Sequence, residues 1–122
     1  MILADTSVWI DHFRSGNDDL CWQLAKRQIL MHPFIAAELA LGSLRDRART
    51  LAWLDLLPHA RIAQLSEVRA MIEARSLHSQ GIGLIDAHLI AAIFLNPPTL
   101  LWTKDRRLRG IAEALDIHAD LP

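Results

Sequence analysis

The strongest constraint on the fold lies in the first seven residues, Met1-Ile2-Leu3-Ala4-Asp5-Thr6-Ser7, where an apolar run breaks off into three polar side chains. Ile2, Leu3 and Ala4 do not alternate with polar residues, so both faces of the strand they form must be covered, as in the middle of a parallel sheet. Asp5 then stands at the carboxyl end of that strand, where open α/β sheets bind their ligands. Thr6 or Ser7 is suited to cap the amphipathic segment Val8 to Phe13. Asp5 has a second reading of equal weight, as the cap of that helix, because aspartate is itself a preferred cap residue.

A chain of 122 residues, 52% of them hydrophobic, has the material for one compact domain over residues 1–122 and no room for a second of ordinary size. Its apolar runs fall far short of the roughly 20 residues that span a bilayer, and its N-terminus lacks the basic region and cleavage site of a signal peptide. A cytoplasmic protein without membrane attachment is the expectation. The single cysteine, Cys21, excludes an intramolecular disulfide and a cysteine-rich metal site, so a metal must be held by oxygen or histidine. Cys21 itself reads as a packing residue. The formal net charge of -1 exerts no global pull on nucleic acid, but the 11 arginines are unevenly spread. Arg45, Arg47 and Arg49 form one cluster, which reads first as a solvated helix face; Lys104, Arg106, Arg107 and Arg109 form another.

Along the chain, Ser15-Gly16-Asn17 is a turn and Asp18-Asp19 opens a second helix carrying Leu20 and Leu24. Gln28 to Met31 is short enough to be a strand, and His32-Pro33 starts a helix that stops near Gly42. A helical pattern from Asp46 to Leu57 has Leu51, Trp53 and Leu54 on its apolar side. Arg61 to Leu65 suits a third strand, and Ser66-Glu67 begins a helix through Val68, Met71, Ile72 and Leu77. Leu84 to Leu95 is apolar nearly all round, the mark of a buried helix. Thr99 to Thr103 is a fourth strand ending in polar residues. A helix through Leu108, Ile111 and Leu115 follows, and a short edge strand forms near Ile117. Strands alternating with helices imply an α/β fold with a mostly parallel sheet of four or five strands.

Four acids stand out from this pattern. Burying a lone carboxylate is costly, so an acid flanked by apolar helical neighbours needs a reason to be there. Glu38 has Phe34, Ile35 and Leu41 three or four residues away, and Asp86 has Ile82, Leu89 and Ile90. Asp5 and Asp105 both follow strands, which a parallel sheet brings to the same edge. Four carboxylates converging there repel one another, and a hard divalent cation, Mg²⁺ or Mn²⁺, is the simplest compensation. The six histidines show no metal-ligand spacing, and His88 reads as a satisfied core residue.

Taken together, Ile2 to Ser7 with Trp9 and Ile10, Ala36-Ala37-Glu38-Leu39, Gly83-Leu84-Ile85-Asp86-Ala87 and Thr103-Lys104-Asp105 resemble the pattern of PIN-domain endoribonucleases, specifically the VapC-type toxins of bacterial toxin–antitoxin pairs. The similarity runs end to end. It implies a PIN-like three-layer domain, with Asp5, Glu38, Asp86 and Asp105 as the catalytic metal site and Thr6 and Thr103 as polar support. It also implies metal-assisted hydrolysis of RNA, in which the ion activates a water whose proton passes to a carboxylate, Asp105 or Glu38 foremost. Arg106, Arg107 and Arg109 would flank the acids and hold the RNA backbone. Trp9 or a loop aromatic would stack on unpaired bases, although each tryptophan reads first as core. The implied partners are an RNA substrate, a cognate antitoxin and a second copy of the chain in a homodimer.

Two other readings fit the length. A response-regulator-like receiver would cast Asp55 as phosphoacceptor with Asp5, Thr103 and Lys104 around it, but Asp5 lacks an acidic neighbour and Asp55 sits in a helical pattern. A binding module that keeps the PIN fold without chemistry is the other.

Overall fold

The computed structural model describes all of residues 1–122. Strand β1 (Ile2–Ala4) is the centre of a parallel sheet, with β2 (Ile29–Leu30) on one side and β3 (Leu100–Trp102) on the other. Ile2 and Leu3 lie in register with Ile29 and Leu30, and Ile2, Leu3 and Ala4 with Leu100, Leu101 and Trp102. Leu3 and Ala4 are completely buried, as an uninterrupted apolar strand demands. Single parallel bridges widen the sheet at both edges, Met31 to His59 beside β2 and Leu101 to His118 beside β3. The second of these stands where a short edge strand near Ile117 was expected.

The expected strand over Arg61–Leu65 does not form. The Asn96 side chain accepts from the Arg61 backbone N–H at 3.0 Å and donates to the Arg61 carbonyl at 3.0 Å. One amide side chain thereby takes the donor and acceptor that a neighbouring strand would have used.

Seven helices flank the sheet: α1 (Thr6–Ser15), α2 (Asp18–Ala25), α3 (Pro33–Ala40), α4 (Arg47–Leu56), α5 (Leu65–Ala74), α6 (Leu84–Leu95) and α7 (Arg106–Ala114). None is long and apolar enough to cross a membrane. In α6 every residue from Ala87 to Ile93 is buried, so this helix is enclosed by its neighbours, α5 and β3 among them. Helix α5 stops at Ala74. Leu77 reaches the core from beyond it, after Ser76 has turned the chain through a left-handed conformation (φ 53°).

Some side chains read as packing residues lie outside the core. Cys21 is exposed, and Trp22 is 63% exposed with Lys26 over its ring. Trp9 and Trp102 are fully buried, while Trp53 packs its edge against Trp9 and stays partly open. In the first arginine cluster, Arg47 donates to the carbonyls of Gly42 and Ala40, closing the carboxyl end of α3. It is a helix cap as well as surface.

His32 joins β2 to α3. It is fully buried, its Nδ1 caps α3 by accepting from the Phe34 N–H at 3.0 Å, and its Nε2 has no partner. Phe34 stands edge-on between His32 and His88, with ring centroids 5.1 Å and 4.7 Å away. His88 is a core residue as expected, but its Nδ1 is buried without a partner, so it is not satisfied within the chain. Burial, reinforced by His88 and His59, lowers the His32 pKa to about 4. The neutral form is therefore the folded one: His32 contributes stability that is complete above the ordinary value of 6.5 and lost as pH falls from there through about 4. Replacing His32 by Asn keeps a cap acceptor and removes the titration. Urea unfolding between pH 7 and pH 4 should therefore show a smaller acid loss of stability in His32→Asn than in the wild type; parallel losses would refute the assignment.

Candidate active site

Asp5 closes β1 and starts α1, and its two readings turn out to be compatible. Its Oδ1 accepts from the backbone N–H groups of Ser7 at 3.0 Å and Val8 at 3.4 Å, which is the capping arrangement, and also from the Ser7 hydroxyl. Its Oδ2 accepts from the Thr103 hydroxyl, contributed by the chain just past β3. Only 5% of Asp5 is exposed. Burial pushes its carboxyl above the usual carboxylate range, against the hydrogen bonds from Ser7, Thr103 and Val8 that favour the charged form.

Thr103 ties the second strand end into the same network, because its Oγ1 also accepts from the Asp105 N–H at 3.0 Å. Asp105 in turn caps α7, accepting from the Leu108 N–H at 3.0 Å, and its side chain is exposed. Of the two residues named as polar support, Thr103 bonds Asp5, whereas Thr6 makes no side-chain hydrogen bond. Ser7 fills that position: its hydroxyl donates to Asp5 and accepts from the Lys104 N–H at 2.9 Å. The signal available in the sequence was a hydroxyl two residues after a capping aspartate, but the Lys104 contact spans the whole chain.

Asp86 lies in the first turn of α6, half-buried. Burial raises its pKa most, the charges of Asp5 and Asp105 raise it further, and Glu38 adds to them; a hydrogen bond from the Gly83 backbone opposes the rise. The field of all three other acids therefore reaches Asp86. Glu38, on α3, is exposed, which corrects the expectation that its apolar neighbours would bury it. Ile35 is in the core, but Leu41, the helical C-cap of α3, is 88% exposed and Phe34 is only half-buried, so the face carrying Glu38 is open to water.

The donor set consists of carboxylate oxygens, the chemistry of a hard divalent cation. No three acidic or histidine side chains stand close enough to ligate one ion together. The arrangement fits an ion of the magnesium type, which binds through one or two carboxylates and keeps water in its remaining positions.

The basic residues of α7 divide. Arg109 Nε donates to Glu113 at 3.0 Å along the helix. Arg107 lies over Gly81, where a Cβ would stand 2.8 Å from its Nη1, so this arginine packs on the loop leading into α6. Gly81 also has φ +79°, the left-handed region that favours glycine, whereas the Arg107 side chain is long enough to move aside from a Cβ. Arg106 is exposed and carries no ion pair.

Because the folded state holds the Asp86 proton more tightly than the unfolded chain, its ionisation subtracts stability as pH rises above the usual value of 3.8. In EDTA, Asp86→Asn should melt higher than the wild type, by a margin that is small near pH 4 and grows towards pH 7. A divalent cation at about ten times its Kd should stabilise the wild type by about 1.4 kcal/mol and the variant much less. Identical melting curves with and without the ion would dissolve the cluster into unrelated acids.

The sequence profile of the PIN domain matches residues 2–114, a span that includes all four acids. Ribonuclease VapC32 of Mycobacterium tuberculosis, found in two strains, is 38% identical to this chain over 110 residues, which is 90% of this chain and 89% of the relative. PIN ribonucleases are in general dependent on divalent metal, in keeping with a donor set made of carboxylate oxygens. With kinship running from β1 through α7, the chain belongs to the PIN-domain family, among the VapC-type ribonucleases.

Proposed function

We propose that the chain is a Mg²⁺- or Mn²⁺-dependent endoribonuclease acting in the cytoplasm as the toxin of a toxin–antitoxin pair, with Asp5, Glu38, Asp86 and Asp105 as its catalytic acids. The observation that carries this reading is the Thr103 hydroxyl, which joins Asp5 to the backbone of Asp105 at one edge of the sheet, in a chain of this family. A divalent ion bound among them would polarise the scissile phosphate and lower the pKa of an attacking water. Asp5, held by Ser7 and Thr103, is the most rigid of the four and serves as the fixed anchor. Asp86 contributes the second charge. Glu38 and Asp105 are the two exposed carboxylates, open to water and so suited to accept its proton. Arg106, free of internal partners, holds the RNA backbone that the acids alone would repel, with Arg107 and Arg109 behind it.

The receiver reading has nothing to support it, since Asp55 is exposed on α4 rather than at a strand end. A silent binding module would not need a standing repulsion among four acids.

Cleavage of structured RNA should require added Mg²⁺ or Mn²⁺ and cease in excess EDTA. Asp5→Asn should lower the rate by about a hundredfold or more with circular dichroism unchanged, because it keeps the cap acceptor and removes the ligand charge. Full activity in EDTA, or in a folded Asp5→Asn protein, would refute the metal mechanism.

VapC-type proteins act with an RNA substrate and an antitoxin partner. We extend this to a homodimer, supported by the large apolar side chains left open at Leu41 (88%), Leu56 (83%) and Leu84 (56%). Light scattering of the purified chain should give twice the 13.7 kDa chain mass. A monomer at high concentration would refute the dimer and leave the ribonuclease reading intact.

A further inference from the structure

Beside the acids, a pocket of about 310 Å³ opens between α1 and the segment following α3, with Ile10, Phe13 and Leu44 among its apolar walls and Arg14, Glu38 and Ser43 among its polar ones. Phe13 is 37% exposed and backed by Trp9, with ring centroids 5.8 Å apart, so the ring is a supported surface rather than a loose side chain. Trp9 itself is fully buried and so unavailable for the stacking role its aromaticity suggested. Arg14 is exposed and enters no ion pair, leaving its guanidinium donors free. Glu38, one of the four acids proposed for catalysis, lines this pocket.

We infer that this pocket receives one unpaired base of the RNA next to the phosphate that is cut, stacked on Phe13 and read by Arg14; the inference rests on the ribonuclease reading above. Sequence-specific RNA recognition falls on unstacked bases held against aromatic rings and guanidinium planes. The guanidinium fork matches a base edge with two adjacent acceptors, which guanine presents as O6 and N7. Glu38 adds selectivity of a different kind, since its charge repels phosphate but not a neutral ring. A protein partner would need about 800 Å² of surface on each side, whereas this pocket is the size of a single planar group.

The test uses short single-stranded oligonucleotides in which each position flanking the cleaved bond is varied through the four bases. The wild type should favour guanine at one position by about tenfold or more, the discrimination expected of one bidentate contact. Arg14→Ala should bring the four bases within about threefold of one another at that position alone, with the change carried by KM. Arg14→Lys, a point charge without the fork, should not restore the preference. Equilibrium binding of the same oligonucleotides to the slowed Asp5→Asn variant should show the same ranking. An unchanged base profile in Arg14→Ala, or no profile in the wild type, overturns the inference while the ribonuclease reading stands. If the profile is unchanged but Arg14→Ala no longer retains its antitoxin, the pocket belongs to the protein partner. If the wild type cuts no RNA with any divalent ion, both readings fall.

Discussion

The rest of this structure depends on the compensation of one buried carboxylate. Asp5 is almost wholly removed from water, and an uncompensated charge in that position would cost several kcal/mol. Two N–H groups and a hydroxyl from the start of α1 supply part of the compensation, but the hydroxyl on Oδ2 comes from Thr103, just past β3. The carboxylate is thus completed only when β3 pairs with β1. Thr103 also accepts from the Asp105 N–H, so the same pairing that satisfies Asp5 sets the start of α7 and the position of Asp105.

Asp5, Asp86 and Asp105 all lie at helix N-termini, where free N–H groups and the helix dipole favour negative charge. Each such end is worth about 0.3–1 kcal/mol. A pair of like charges about 6 Å apart at an effective dielectric of about 20 costs on the order of 2–3 kcal/mol. The helix end at Asp86 does not offset this: burial raises its carboxyl first, and the charges of Asp5 and Asp105 add to the rise. A divalent cation held by these carboxylates would relieve that cost, as the proposed ribonuclease function requires.

The arginines illustrate why a charge cluster in a sequence is a poor guide to a binding surface. Arg47 closes the end of α3, Arg109 pairs with Glu113 and Arg107 packs on Gly81, so these are partly spent on the fold. Arg14, which belongs to no cluster, stands free beside Phe13 and Glu38. What leaves a cation available is the lack of an internal partner, and that depends on where helix ends and loops fall.

The sequence by itself determined the buried first strand, the alternation of strands with helices, the enclosed α6 and the order of the four acids. Each of these is written in short-range periodicity, in cap chemistry or in a motif a few residues long. Tertiary structure decided the rest. It left Arg61 to Gln64 without a strand because Asn96, 35 residues away, takes both polar groups of Arg61. It assigned the support of Asp5 to Ser7 rather than Thr6, and it left Glu38 open to water together with Leu41, because nothing packs over that face of α3. Two buried histidines around Phe34 and a pocket joining α1 to the segment after α3 had no local signal at all. Periodicity reports which face of an element is apolar, whereas partners far apart in the chain are chosen only when the sheet closes and each buried donor or acceptor takes what its neighbours offer.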